Sequence, residues 1–185
     1  MIVNKAYRYR IYPTTAQKMM FAKTFGCVRF IYNKMLSDRI DYYKETGQKL
    51  NNTPAQYKEE FPWLKEVDSL ALANAQLNLN KAYSHFWNDS QHFGKPRFKS
   101  KKNSRASYST NNQKGSVRIE DHKVKLPKVG WVKLCQHHPL PENSIIKTVT
   151  ISKTPSGKYY ISMLVEYENQ ILPVIPKTFL GLDFA

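Results

Sequence analysis

The spacing of hydrophobic residues predicts one strand followed by two helices in the first half of the chain. Residues 2–12 alternate between large apolar side chains and polar or small ones, which is typical of a half-buried strand. A helical period begins at Thr14 or Thr15, either of which can cap a helix, and runs towards Gly47. A second helical period covers residues 69–88. Because the first helix is apolar on more than one side, we expect other elements to cover it on more than one side.

The second half of the chain returns to an alternating pattern, which predicts short strands. The clearest pair is a hairpin of residues 145–153 and 158–167, joined by Thr-Pro-Ser-Gly. One strand, two helices and about five further strands predict an α+β fold, a β-barrel with a helical segment inserted after its first strand. Residues 171–177 contain two prolines and are predicted to form a linker.

Positive charge is concentrated in two stretches without any acidic residue. The chain has 29 lysines and arginines against 14 aspartates and glutamates, a formal net charge of +15. No Asp or Glu occurs in residues 1–37, the first basic tract, or in residues 90–119, the second basic tract. This asymmetry indicates phosphate binding, and a membrane surface is the weaker alternative because the cations do not follow one amphipathic helix. The candidate nucleic-acid-binding residues of the two tracts are Arg8, Arg10, Lys23, Arg29, Lys95, Arg97, Lys99, Lys101, Lys102, Arg105 and Tyr108.

The second helical segment carries a stripe of small and amide side chains. Ser69, Ala73, Gln76 and Asn80 are spaced four, three and four residues apart and therefore share one face of a helix. Gln and Asn can make paired hydrogen bonds to adenine in the major groove, and small residues allow a close approach to DNA. A solvent-facing or helix-pairing stripe is the alternative interpretation.

The last residues place one carboxylate in an apolar strand pattern. Residues 179–185 are apolar or glycine except for Asp183. A buried Asp is costly unless it is paired or binds a metal, but one carboxylate cannot hold the two ions of phosphodiester cleavage. Cys27 and Cys135 have neither disulfide nor zinc-site spacing, which fits a reducing, cytoplasmic setting. Asp183 is therefore an isolated candidate for a catalytic, metal-binding residue.

Short motifs along nearly the whole chain resemble one known family. They are KAYRYRIYP at 5–13, TFGCVRFIYN at 24–33, WLKEVD at 63–68, PRFKS at 96–100, LPKVGWVK at 126–133, GKYY at 157–160 and GLD at 181–183. In their order and spacing these motifs resemble the N-terminal half of the TnpB (OrfB) proteins of bacterial insertion sequences. Those proteins are transposon-encoded, RNA-guided endonucleases related to the type V CRISPR effectors.

The resemblance implies a division of the chain into three parts. Residues 1–12 and 104–176 would form an OB-like wedge β-barrel, and residues 13–103 an inserted helical recognition domain. Residues 177–185 would be the first strand of a RuvC-like nuclease domain with the RNase H fold, truncated here, in which Asp183 helps to bind Mg²⁺. The implied partners are a guide RNA from the transposon end and target double-stranded DNA with a short adjacent motif.

The resemblance also implies what this chain lacks. The family's other nuclease carboxylates and its zinc-binding insert lie beyond residue 185, so we expect the chain to bind nucleic acid without cleaving it. The alternative is a non-enzymatic DNA-binding module or nuclease-deficient repressor, with a helix-turn-helix-like N-terminal region in which residues 15–46 contact DNA. Either protein would work at the nucleoid of a bacterial or archaeal cell, away from membranes, and its oligomeric state is not predicted.

Overall fold

The computed structural model describes residues 1–102 and 106–168, in which helices follow the first strand and six further strands follow the helices. A five-residue 3₁₀ turn, Pro62–Glu66, lies between the second and third helices. The strands are β1 (Ile2–Tyr12), β2 (Ala106–Asn111), β3 (Arg118–Glu120), β4 (Lys123–Leu126), β5 (Gly130–Cys135), β6 (Ile145–Lys153) and β7 (Tyr159–Glu168). The helices are α1 (Thr15–Thr46), α2 (Tyr57–Glu60) and α3 (Ser69–Asn88).

All seven strands belong to one antiparallel sheet in the order β2-β6-β7-β1-β5-β4-β3. The long β1 lies at its centre and pairs with β7 from Ile2 to Ile11, and with β5 from Arg10 to Tyr12. The predicted α+β class and the predicted hairpin, now β6 and β7, are confirmed. The predicted barrel is not closed within the described residues, because β2 and β3 are the two edges of the sheet rather than partners. The expected linker at 171–177 and the RuvC-like strand lie outside the described residues.

Local signals set both ends of α1, as the sequence predicts. The Thr14 hydroxyl accepts a hydrogen bond from the Gln17 N–H, and the Gln17 side chain accepts one from the Thr14 N–H, which is a capping box. The same Gln17 donates to the carbonyl of Trp131 in β5 at 2.7 Å. At the other end, Gly47 has a φ of +69°, a left-handed conformation that glycine adopts without strain. The start of α1 is therefore tied to the sheet as well as to its own cap.

The core forms where α1 meets the sheet and α3. Phe21 stacks on Tyr159 of β7 at 5.7 Å, and the buried side chains of α1 lie on more than one side of the helix, as expected. Cys27 is buried among them, which confirms that it packs. α3 contacts α1 on one side and β2 on the other. The Asp68 carboxylate caps α3 and accepts a hydrogen bond from Thr110 of β2, which joins the helical segment to the sheet edge.

A buried polar network fixes the connection that follows α1, a segment for which the sequence predicts no structure. Asn52 accepts from Arg39 Nε at 2.7 Å and donates to the Tyr57 hydroxyl at 2.7 Å and to the Met35 carbonyl at 3.3 Å. Tyr57 in turn donates to Asp38 at 2.6 Å. Burial and the hydrogen bond to Asp38 raise the pKa of Tyr57 above its ordinary value. One amide thus joins α1, the connection and α2.

Replacing Asn52 with alanine should lower the free energy of unfolding by about 1–3 kcal/mol, because the partners of a 3% exposed amide lose their hydrogen bonds. Urea unfolding followed by circular dichroism measures the change. The adjacent and exposed Asn51 is the control, and Asn51→Ala should stay within about 0.5 kcal/mol of the wild type. Equal losses in the two variants would contradict the role of the network.

Candidate nucleic-acid interface

The two basic tracts meet on α1 through one asparagine. Asn33 donates to the Lys99 carbonyl at 3.0 Å and accepts from the Lys99 N–H at 2.8 Å. This pair of bonds holds residues 94–102, which form no helix or strand, against the helix. The two basic tracts are thus joined at residues that are 66 positions apart.

A cleft of about 470 Å³ lies beside this junction and combines cations with aromatic rings. The Phe98 ring is 57% exposed at its edge. The Phe30 ring lies 4.8 Å from each of Phe61 and Trp63, so a cluster of three rings supports the cleft wall. A single-strand binding surface typically combines cations, which contact phosphates, with aromatic rings, which stack on bases. The cleft is lined by Gly26, Arg29, Phe30, Asn33, Lys34, Ser37 and Phe98.

Several cations around the cleft already have partners within the protein. Lys23 forms an ion pair with Glu66. Lys34 pairs with Asp38 at 2.9 Å, and the hydrogen bond that it donates to that carboxylate raises the Lys34 pKa. The Lys99 ammonium lies 4.1 Å from the centre of the Tyr32 ring, and burial lowers its pKa. Arg29, which makes no ion pair in the described residues, is the cation best placed in the cleft for an external phosphate.

Two arginines stand on the outer face of β1. Arg8 lies 4.3 Å from the centre of the Tyr160 ring and Arg10 lies 5.0 Å from the centre of the Tyr12 ring. They point away from Tyr9, which is buried on the inner face. The Nε atom of Arg10 is buried and has no hydrogen-bond partner among the described residues. Buried donors are normally bonded, so this Nε is an unsatisfied donor within the sheet.

The same sheet face carries lysines that the charge-based argument missed. Lys123 of β4 lies directly opposite Lys133 of β5, and Lys133 lies opposite Tyr12 of β1. Like charges in opposed positions destabilise a sheet, and a bound polyanion would relieve that repulsion. Both lysines lie in residues 122–141, a third stretch without Asp or Glu that is shorter than the two basic tracts. The alternation in KVKL and WVKL was the signal available, but only strand register brings the two lysines together.

The polar stripe of α3 has partners inside the chain. Ser69 accepts from the Lys58 ammonium at 2.9 Å, Gln76 donates to the Asn52 carbonyl at 3.1 Å, and Asn80 accepts from Arg39 at 2.8 Å. Ala73 is half-buried between them. These internal contacts fit the alternative interpretation of the stripe, in which it pairs α3 with neighbouring parts of the chain. Base reading by this stripe stays a prediction.

Tyr108 requires a correction, because it lies in the core. Its side chain is 5% exposed, with the ring 5.6 Å from Phe25 and 6.4 Å from Phe21, so neither ring face is open to a base. Burial and the nearby Asp68 carboxylate also raise its pKa. We therefore exclude Tyr108 from the interface.

The other predicted site residues divide between the exposed segment and the undescribed parts of the chain. Arg97, Lys101 and Lys102 are exposed on the segment that Asn33 holds, and Lys95 is exposed at its start. Arg105 and Asp183 lie outside the described residues.

Metal-binding chemistry has no support within residues 1–102 and 106–168. No group of three or more His, Cys, Asp or Glu side chains there could hold an ion. Cys27 is buried and Cys135 is exposed, and both are free thiols. The described helices include none that is long and apolar enough to cross a membrane.

Comparison with known proteins identifies the family of this chain. A family model described as a helix-turn-helix domain, HTH_OrfB_IS605, matches residues 1–48. A Streptomyces pristinaespiralis protein is 32% identical over 89% of this chain, and Escherichia coli K12 InsQ is 27% identical over 97% of it. Both carry the name "Putative RNA-guided DNA endonuclease". Virulence protein VsdF of Salmonella dublin is 33% identical over 52% of this chain and 93% of its own length.

The sheet and the helices form one α+β structure in which the two basic tracts meet. The chain belongs to the TnpB (OrfB) family of insertion-sequence proteins. It spans 42% and 44% of the lengths of the two endonuclease relatives.

The structure of residues 1–48 differs from the description of the family model that matches them. A helix-turn-helix consists of two helices joined by a short turn. Here the same residues form β1 and a single 32-residue helix, α1. Much of α1 is buried, so nucleic acid could contact separate exposed patches of the helix, such as the Arg29 and Lys34 side, but not its whole surface.

Loss of the Asn33 amide should release the second basic tract from α1. Two lost hydrogen bonds of about 0.5–1.5 kcal/mol each make opening of the segment about 5- to 150-fold more frequent in Asn33→Ala. Limited trypsin digestion measures this opening, because the segment contains cleavage sites after Arg97, Lys99 and Lys101.

Asn74→Ala is the matched control, since within residues 1–102 and 106–168 the Asn74 side chain bonds only to the carbonyl of Leu70 in α3. It should be cut within residues 95–102 at the wild-type rate. Unchanged cleavage of Asn33→Ala would show that other contacts hold the segment.

Proposed function

We propose that this chain is the nucleic-acid-binding part of a transposon-encoded RNA-guided DNA endonuclease, and that it holds guide RNA and target-adjacent DNA. The observation that carries the proposal is the meeting of the two basic tracts at Asn33 and Lys99, beside the cleft that contains Arg29 and Phe98. The names of the two relatives that match most of the chain support the choice of partner.

The guide RNA would be bound mainly through its phosphates. Arg8, Arg10, Lys123 and Lys133 share the outer face of the sheet, where they are spaced over three neighbouring strands. A-form RNA presents its backbone to such a surface without exposing base edges in its deep groove. Binding of this kind depends on charge and shape, and its strength falls with salt.

The target-adjacent DNA would lie against α3. Ser69 and Asn80 are exposed and within one face of that helix, whereas Gln76 is half-buried. Short double-stranded motifs are read in the major groove by side chains of this type. Which bases are read, and which guide sequence is bound, are properties of the nucleic-acid partners.

The proposal leaves this chain without cleavage of its own, because Asp183 of the GLD motif at 181–183 would supply only one of the carboxylates that hold Mg²⁺ in the complete endonuclease. Mg²⁺ bound by carboxylates would activate water and stabilise the leaving oxygen of a phosphodiester. The described residues contribute binding and positioning, and no carboxylate cluster among them supplies this chemistry.

A second candidate is a DNA-binding module that acts without RNA. The description of the family model that matches residues 1–48 favours it. The two candidates differ in a simple assay, because a guide-RNA binder prefers transposon-end RNA, whereas a DNA-binding module shifts duplex DNA without any RNA.

Filter binding to transposon-end RNA at increasing salt tests the phosphate contacts. We expect the double variant Lys123→Gln/Lys133→Gln to make the log–log salt slope shallower by about 1.4, from about 0.7 for each lost phosphate contact on a single strand. Its stability should change by less than about 0.5 kcal/mol, because the substitution removes the opposed Lys123–Lys133 repulsion together with the attraction between Lys123 and Glu120, which lies opposite it in β3.

Lys65→Gln/Lys81→Gln removes the same net charge at exposed sites of the helical segment, which packs on the other face of the sheet. This control should keep the wild-type slope. Equal slopes in both double variants would refute specific phosphate contacts on the sheet. Equal affinity of the wild type for unrelated RNA would refute guide recognition, and tighter binding to duplex DNA than to any RNA would favour the second candidate.

A further inference from the structure

A second groove, separate from the cleft at Asn33, lies between the C-terminal halves of α1 and α3. We name it the helix-end groove and define it by Arg39, Tyr43, Lys49, Tyr83, Trp87 and Lys95. Its volume is about 800 Å³, within the range of small-ligand sites. The end of the second basic tract forms one wall, so the groove adjoins the surface described above.

Aromatic rings form the floor of this groove. Tyr83 and Trp87 are one helical turn apart on α3 and stack with their centres 5.2 Å apart. Trp87 is 54% exposed and Tyr43, on α1, is 59% exposed. Large rings left open to solvent in this way form a platform that a planar group can cover.

Cations surround the rings. The Lys49 ammonium lies 4.0 Å from the centre of the Trp87 ring, and Arg39 lies 5.9 Å from that of Tyr83. Arg39 is fixed by Asn52 and Asn80, whereas Lys49 and Lys95 are exposed. None of the side chains that line the groove is acidic. An apolar peptide helix bound in the groove would leave these ammonium groups without a counter-charge. The positive charge of the groove therefore favours an anionic ligand.

A ligand that is both planar and anionic matches this combination. We propose that the helix-end groove binds an unstacked nucleotide of single-stranded nucleic acid, with its base on the Trp87 ring and its phosphate between Lys49 and Lys95. The base takes the place of the Lys49 ammonium over the ring, and the flexible lysine turns to the phosphate. This site rests on the proposed function, because it assumes that the chain binds a polynucleotide.

The test measures binding of ten-nucleotide oligo(U) and oligo(dT) to the 185-residue chain, by fluorescence anisotropy and by quenching of tryptophan emission. Trp87→Ala should weaken binding by about 5- to 150-fold, the effect of losing one base–aromatic stack, and should remove most of the quenching. Trp87→Phe keeps a ring and should restore most of the affinity. Affinity for a duplex of the same length should change less than about twofold, since its bases are already stacked.

Leu77→Ala is the matched control, because Leu77 is also an exposed apolar side chain of α3 but lies outside the groove. It should bind both oligonucleotides as the wild type does. Loss of affinity in the RNA arm, the DNA arm or both supports the proposal and identifies the occupant. Wild-type affinity of Trp87→Ala for both oligonucleotides, with salt-dependent RNA binding intact, overturns the groove alone. Absence of any binding by the wild type overturns the proposed function as well.

Discussion

The fold depends on the central position of its first strand. β1 pairs with β7 over almost its whole length and with β5 through its last three residues, so both halves of the sheet require it. Only Pro13 and Thr14 separate β1 from α1, and Gln17 bonds back to β5. The orientation of α1 is therefore set by the sheet. Because α1 carries Asn33, the same constraint positions the second basic tract beside the first.

The elements that local interactions define could be predicted from the sequence. The ends of α1 depend on Thr14, Gln17 and Gly47, and the start of α3 on Asp68, in each case through bonds to neighbours within a few residues. The bonds between Asn33 and Lys99 could not be predicted, because chain spacing carries no information on which distant backbone an exposed amide will meet. Tyr108 shows the same limit: alternation separates the two faces of a strand but does not say which face a helix covers.

Two features of the sheet surface lower the stability of the fold. Lys123 and Lys133 repel one another across β4 and β5, and Arg10 keeps a buried donor without a partner in the described residues. Around the cleft, by contrast, Lys23 and Lys34 are paired with carboxylates. An external polyanion thus gains more from the sheet face than from the paired cations of the helices, since Lys133 forms no ion pair in the described residues and Glu120, which lies opposite Lys123, is itself paired with Arg118.

The hydrogen bonds of α3 rank its polar side chains as readers of DNA. Gln76 bonds to the carbonyl of Asn52, a buried residue, and turning to a base would leave that carbonyl unpaired at about 1–3 kcal/mol. This matches the discrimination of about 1–3 kcal/mol that one paired contact to adenine provides, so Gln76 gains little. Asn80 is exposed, and its partner Arg39 keeps its bond to Asn52 when Asn80 leaves. If α3 reads the target-adjacent motif, the contact therefore comes from Asn80 rather than from Gln76, although the two amides are equivalent in the sequence pattern.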